Sequence, residues 1–500
     1  MELKQAIDRL MDLQSKLSAY DHAVGLLSYD GDTSAPAETA DNRAHTMGIL
    51  TREIYELSTG RETVALLEYL DANKDALDEK QKRMVYLMLR DIRFMQKIPA
   101  DEYVEYQRFN VESGDVWHKA KLNNDFASFR PYLTKMFDYQ KRFANYVKPD
   151  MDAYDYWLDR FEPGLNKQVL DEFFGKLKAK LVPLIAKCGT LTQIPDDVIK
   201  GDFPVDKQRE LALWLMDTIG LNRGRVGLAT TEHPFTTSLG SHKDERITTH
   251  YHTDDVSSSM FSVIHEGGHA LYDTGSDEEL AYTVLDGGVS MGIHESQSRF
   301  YENILGRSKG FVKFIFPKLK ELFPEQMKNY IWEDFYRAIN RVQPSLIRTE
   351  ADEVTYGLHV LIRYELEKRV MEGSLSVDEL PSEWNRLYRE YLGVDVPDDT
   401  HGVLQDSHWS FGAIGYFPSY ALGSAYGAQF LARMRESVDV DSALEKGDFA
   451  PINEWNRQHI WRYGSTYEPG QVLQMALGEP FDVSYYLNYL EAKVKDVYGI

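Results

Sequence analysis

The sequence predicts a mostly α-helical protein with one small antiparallel β-sheet. Apolar residues recur at three- and four-residue steps along most of the chain, the signature of one buried helix face. Strand-like alternation is confined to a short stretch near residue 250. Of the 500 residues, 43% are hydrophobic and 27% charged, enough apolar material for one large core or two to three smaller ones.

Taken in order, residues 3–18 place Leu3, Ile7, Leu10, Leu13 and Leu17 on one helical stripe. The same periodicity predicts helices over 77–96, 167–189, 206–218, 325–342 and 353–371, with Pro344 ending the fifth of these. The stretch "RITTHY" at 246–251 alternates Ile247, Thr249 and Tyr251 with Arg246, Thr248 and His250, which predicts a strand. A lone strand is not stable, so the 225–240 segment is expected to join it in a small sheet beside the helix that follows. No fixed-period repeat, low-complexity tract or linker divides the chain, and residues 1–500 are expected to form a single catalytic unit.

Composition excludes some functions. A net charge of −23 argues against a nucleic-acid partner, because binding phosphates takes clustered Lys and Arg. No stretch approaches 18 consecutive apolar residues, so no membrane span is expected. The N-terminus mixes charges with apolar residues and lacks a signal-peptide core. One cysteine, Cys188, precludes an internal disulfide and fits a reducing cytoplasm.

Ten of the 14 histidines fall between His233 and His408, which directs attention there. Within "VIHEGGHALYD", His265, Glu266 and His269 read H-E-x-x-H. Residues four apart on a helix lie on one face, so both imidazoles can reach one zinc ion. Glu266 is rotated about 100° from His265 and flanks the ion, placed to take a proton from an attacking water. Asp254, Asp255 and Ser257 offer N-caps, and Gly275 a stop. Gly267 and Gly268 are poor helix formers, each costing about 1 kcal/mol relative to alanine. They are explained if another backbone approaches closely behind the histidines. Zinc needs a third protein ligand, and Glu295 lies 26 residues after His269 on a second predicted helix. His294 is the alternative, depending on helix phase. Asp273, one turn past His269, is a candidate to hold a zinc histidine by its outer nitrogen.

With these residues in place, the sequence resembles the Taq-type metallocarboxypeptidases, a thermostable-carboxypeptidase family among the glutamate-zincins. The family's short motifs occur in order. They are His233-Pro234-Phe235; Asp244, Arg246 and Thr248; the histidine helix; His294 to Gln297; Ile347, Arg348, Ala351 and Asp352; and Gly402, Gln405, Asp406, His408 and Trp409. The resemblance implies a carboxypeptidase that removes C-terminal residues one at a time with broad tolerance. It implies one zinc ion per chain, sometimes replaceable by cobalt, and a homodimer. It also implies a two-lobed fold like neurolysin and angiotensin-converting enzyme. Helices of about residues 1–100 would cap a deep groove, above a catalytic core at about 225–425.

Peptide hydrolysis then needs further groups. The oxyanion needs a donor, for which His408 and either Tyr420 or Tyr416 are candidates. An extended peptide can add to a sheet edge, and the 246–251 strand is the expected edge. His233, Asp244 and Arg246 would line the substrate there, unless Asp244 and Arg246 pair with each other. A carboxypeptidase must also hold the terminal carboxylate, which a guanidinium does with two parallel hydrogen bonds. Arg348 is the expected anchor, with Gln405 beside it as a substrate-binding residue. A salt bridge of Arg348 to Glu350 or Asp352 is the competing role, and Arg246 is the reserve anchor.

Overall fold

The computed structural model describes residues 2–500. The periodicity at the N-terminus produces helix α1, Leu3–Thr33, which buries Ala6, Leu10, Leu13 and Gln14. Helices also stand where the spacing predicts them, at Glu79–Lys97, Lys167–Gly189, Val205–Ile219 (α2) and Glu353–Glu372. The helix expected over 325–342 is instead two short ones, Pro324–Met327 and Trp332–Ile339. Residues 328–331 interrupt it, and the Asp334 side chain accepts from the Ile331 N–H to start the second piece afresh.

Two compact units share the chain. One contains the chain up to Arg93, Pro195–Ile339 and Phe430–Pro480, and the other Phe94–Ile194, Asn340–Gln429 and Phe481–Ile500. Two of the crossings fall inside helices, Glu79–Lys97 and Pro418–Met434. For that reason no linker composition marks them. Among the described residues, no helix is long and apolar enough to cross a membrane.

In the first unit a three-stranded sheet is built from β1 (Val226–Thr230), β2 (Thr236–Leu239) and β3 (Ser241–Thr249), in the order β1-β3-β2. The sheet is mixed, not wholly antiparallel: β1 runs parallel to β3, Leu228 facing Ile247, while β2 runs antiparallel, Thr236 facing Ile247. The strand read at 246–251 is therefore the centre of the sheet and not its edge, and it ends at Thr249. Burial follows from the position. Ile247, Thr248 and Thr249 are all inaccessible, because a central strand covered by a helix loses the polar face that alternation predicts.

That helix is α3, Val256–Thr274. Asp255 caps it by accepting from the Ser257 N–H at 2.8 Å, and Gly275 ends it. Val256, Met260, Val263, Ile264, Ala270 and Tyr272 are buried on several sides, so α3 is the hub of the unit. It packs against β3, α2 and a helix at Met291–Arg299 (α4). In the second unit, helix α5 (Glu353–Glu372) is likewise buried on almost every face. Asp352 caps it, accepting from the backbone N–H groups of Val354 and Thr355.

Candidate metal centre and arginine cluster

His265 and His269 project from one face of α3, and Glu295 comes from the middle of α4. Their ligating atoms lie within 4.8 Å of one another. Glu295 Oε2 is 3.9 Å from His265 Nε2 and 3.7 Å from His269 Nε2. Ligand atoms around a tetrahedral zinc ion stand about 3.3 Å apart, so small side-chain rotations bring this set to bonding distance. Two imidazoles and one carboxylate are also the donor types such an ion takes with one position left open.

The two glycines explain how the helices come this close. A Cβ on Gly268 would lie 2.7 Å from the Gln297 carbonyl oxygen and 2.8 Å from Ser298 Cα, so the α4 backbone passes directly against residue 268. A Cβ on Gly267 would meet the Ile219 side chain of α2 at 2.6 Å. The two poor helix formers of α3 are thus where α2 and α4 press against it.

The outer nitrogens of both histidines are held. His265 Nδ1 lies 2.9 Å from Glu302 Oε2. Although burial opposes ionisation, the bond with His265 and the guanidinium groups of Arg299 and Arg307 keep Glu302 well below the usual carboxylate range. His269 Nδ1 lies 2.9 Å from His294 Nδ1, and His294 Nε2 lies 3.0 Å from Asp273 Oδ1. Asp273 thus supports His269 only through His294, not directly as expected. His294 is the support, and Glu295 is the residue in the ligand set. Burial, with His294 and His265 adding to it, holds His269 well below the ordinary imidazole value and therefore neutral, the ligating form. Glu302 was missed in the sequence. Its signal is seven-residue spacing from Glu295, two helical turns along one stripe, although the turn that carries it, Phe300–Leu305, is a wider π-helix.

Glu266 is 8% exposed and lies beside the ligands. Thr236 Oγ1 of β2 donates to Glu266 Oε2 at 2.7 Å and approaches the Glu266 carbonyl oxygen at 3.0 Å. Burial raises the Glu266 pKa, while His265 and the Thr236 hydroxyl oppose the rise. A base moved from the carboxylate range toward neutrality accepts protons more readily. Thr236 was another residue the sequence did not single out.

The remaining candidates in this unit are arranged differently. Arg246 Nε and Nη2 donate to the two oxygens of Asp244 at 2.7 and 3.0 Å, so these two residues pair with each other. The guanidinium also lies 5.7 Å from the Tyr29 ring centre. His233 is exposed on the turn between β1 and β2.

In the second unit, Arg348 is 6% exposed. Its salt bridge is with neither Glu350 nor Asp352. Nε and Nη2 donate to Asp406 Oδ1 at 3.0 and 2.9 Å, and Nη1 donates to the Tyr356 hydroxyl at 3.0 Å. Arg363 donates from Nε to the other oxygen of Asp406 at 2.7 Å. Gln405 is an internal brace: its Oε1 accepts from the Arg348 backbone N–H at 3.0 Å and from Arg363 Nη2 at 2.7 Å, and its Nε2 donates to the His401 carbonyl at 2.9 Å. The Tyr420 ring lies 4.8 Å under the Arg348 guanidinium, and its hydroxyl is 3.1 Å from His408 Nε2. Tyr416 stacks on the His408 ring at 5.6 Å.

Burial sets the charge of this cluster. It pushes His408 down to about 4 and His359 well below the imidazole value, so both are neutral at pH 7. Burial opposes the charge on Asp406, but Arg363 and Arg348 hold it well below the carboxylate range. Two guanidinium groups thus share one carboxylate. The next acid, Glu367, is raised by burial to about 7. The positive excess in a low-dielectric setting suits an anion.

Comparison with known proteins agrees with this chemistry. Residues 9–494 match the family described as carboxypeptidase Taq (M32) metallopeptidase. The chain is 40% identical over 500 residues to Carboxypeptidase 1 of Bacillus subtilis (strain 168), covering all of both. It is 36% identical over 498 residues to Thermostable carboxypeptidase 1 of Pyrococcus furiosus, covering 98% of each. Among solved structures, the M32 carboxypeptidase from Deinococcus radiodurans R1 matches with a TM-score of 0.96 at 34% identity, covering 99% of this chain and 100% of that one. A match that runs nearly end to end, on a helix pair shaped to hold a divalent ion, has one conclusion: this chain belongs to the carboxypeptidase Taq (M32) metallopeptidase family and is a metallocarboxypeptidase.

Proposed function

We propose that the protein is a zinc carboxypeptidase of the cytoplasm that releases single C-terminal amino acids from peptides with broad side-chain tolerance, acting as a homodimer with one zinc ion per chain. The observation that carries the zinc assignment is the convergence of His265, His269 and Glu295, with both outer imidazole nitrogens held by further side chains. When bound, the ion supplies Lewis acidity toward the attacking water and the scissile carbonyl. Glu266, steadied by Thr236, takes the water's proton and passes it to the leaving amine. His408 and Tyr420 are the side-chain donors for the oxyanion.

Arg348 is the proposed anchor for the terminal carboxylate. Its fork is directed at Asp406, and the support for the role is the surplus positive charge it shares with Arg363. In this reading Gln405 positions Arg348 from behind. Asp244 and Arg246 shape the surface near β2 as an ion pair. The homodimer and cobalt tolerance rest on the family resemblance alone, and the cytoplasmic setting on the single cysteine, Cys188. A monomer in sedimentation equilibrium would remove the dimer.

The deciding experiment follows products from one peptide as free acid and as C-terminal amide. Successive single-residue losses from the acid alone, stopped by chelation and restored by zinc, are expected. Equal cleavage of acid and amide would replace the carboxypeptidase reading with an oligoendopeptidase. Glu266→Gln should abolish turnover while retaining the metal, and full activity in that variant would overturn Glu266 as the base.

A further inference from the structure

Helix α5 carries a buried polar stripe. Tyr356, His359, Arg363 and Glu367 follow one another at steps of three, four and four residues, so they share a face, and none is more than 3% exposed. Tyr356 and Arg363 are tied into the Arg348–Asp406 cluster, and His359 bonds Tyr388, which Arg363 also reaches. Glu367 has no part in the reaction described so far, and burying it is costly, because an acid in a core needs every oxygen satisfied.

Its oxygens are satisfied by one particular loop. Glu367 Oε1 accepts from Trp409 Nε1 at 2.7 Å. Oε2 accepts from the Gly415 backbone N–H at 2.9 Å and from the Tyr154 hydroxyl at 2.8 Å. Trp409 follows His408, and Gly415 precedes Tyr416, whose ring stacks on His408. A single carboxylate therefore grips both ends of the segment that begins at His408.

We propose that Glu367 is a positioning residue for the carboxypeptidase reaction, clamping the 409–415 loop so that His408 stays on the Tyr420 hydroxyl. The inference rests on the assignment of His408 and Tyr420 to the oxyanion. Glutamine cannot replace the acid, although it has the same shape. In the ionised form, which prevails above about pH 7, each carboxylate oxygen faces an N–H, so either orientation of the amide sets an NH2 group against a donor.

The test is a double-mutant cycle on the zinc-loaded enzyme with a free-acid peptide. Glu367→Gln should lower kcat/KM by about tenfold, the effect of leaving one buried donor unpaired, with metal content unchanged. Combined with His408→Ala, it should add less than about threefold to the loss from His408→Ala alone. A merely structural acid gives additive losses instead, and additivity overturns the proposal. So does wild-type kinetics in Glu367→Gln. If that variant does not fold, Trp409→Phe, which deletes one donor and keeps the acid, carries the same cycle with the same two criteria. An impaired His408→Ala beside an unimpaired Glu367→Gln removes only this inference. An unimpaired His408→Ala removes the His408 assignment, and this inference falls with it.

Discussion

Adding one methyl group at residue 268 tests whether the approach of α4 to α3 sets the metal site. The new Cβ would sit 2.7 Å from the Gln297 carbonyl oxygen and 2.8 Å from Ser298 Cα, whereas ordinary contacts begin at 3.4 Å. One helix must retreat by about 0.7 Å, since backbone cannot rotate out of the way. Such overpacking costs about 1–3 kcal/mol. That outweighs the gain of about 1 kcal/mol from replacing glycine by alanine in a helix. The helix that retreats carries Glu295, so its distances of 3.7 and 3.9 Å to the imidazoles would widen. Gly268→Ala is therefore expected to lose stability and to bind metal about 10- to 100-fold more weakly, as when a supporting contact of a metal ligand is removed. Gly267→Ala is the control. Its Cβ meets the end of the Ile219 side chain, which can turn aside, so stability within about 1 kcal/mol of the parent and unchanged metal affinity are expected. Competition with a chelator of known affinity reads the metal affinity, and thermal melts with and without metal read the stability. A Gly268→Ala protein that melts at or above the parent temperature and holds its metal equally well would refute the argument.

Four further outcomes follow from the same contacts. Glu302→Gln should weaken metal binding about tenfold or more, because His265 loses its carboxylate partner; equal affinity in a chelator titration would exclude Glu302 from that role. Thr236→Val should lower kcat with little change in KM, and Thr236→Ser should restore it, since the hydroxyl acts on Glu266 and not on substrate binding; a serine variant as slow as valine would contradict this. Arg348→Ala should raise KM and lower turnover on free-acid peptides while the metal stays bound; unaltered kinetics would take Arg348 out of the anchor role. Burial holds His408 near 4 in the folded protein against about 6.5 unfolded, so the unfolded chain binds the extra proton between those values. By linkage, stability is present above pH 6.5 and lost as pH falls toward 4, by about 3 kcal/mol at most. His408→Asn should flatten urea-unfolding stability over that window, and an unchanged slope would show that His408 is not the group responsible.

The parts of the fold and site that were legible are those where function demands fixed spacing on one element. His265, Glu266 and His269 are such a case, because the helix alone sets their relation. Glu295 was legible because zinc requires a third ligand. What failed to show were partners chosen by packing. Nothing in the sequence ties Thr236 to Glu266, or Arg348 to Asp406, which are 58 positions apart. Glu350 and Asp352 stand near Arg348 in sequence, but tertiary contacts ignore that nearness and pair it with Asp406. Strand alternation marked residues 246–249 of β3 but missed 241–245, and it did not show the strand's place in the sheet. Period two describes a strand whether it is central or at an edge, and neighbours on both sides became evident only in three dimensions. The two glycines were the most informative local anomaly, since a breach of helix propensity at a buried position signals a compensating contact.

The strand order has a consequence for how the metal helix is made. β1 and β2 do not touch each other, and each pairs only with β3, the last of the three to leave the ribosome. A nascent chain ending before Ser241 thus holds two strands with no mate, and neither can be half-formed in advance. β3 completes both ladders, and α3 begins within seven residues of its end. The sheet that backs the histidine helix is therefore incomplete until the chain has passed Thr249, directly before His265 and His269 are made.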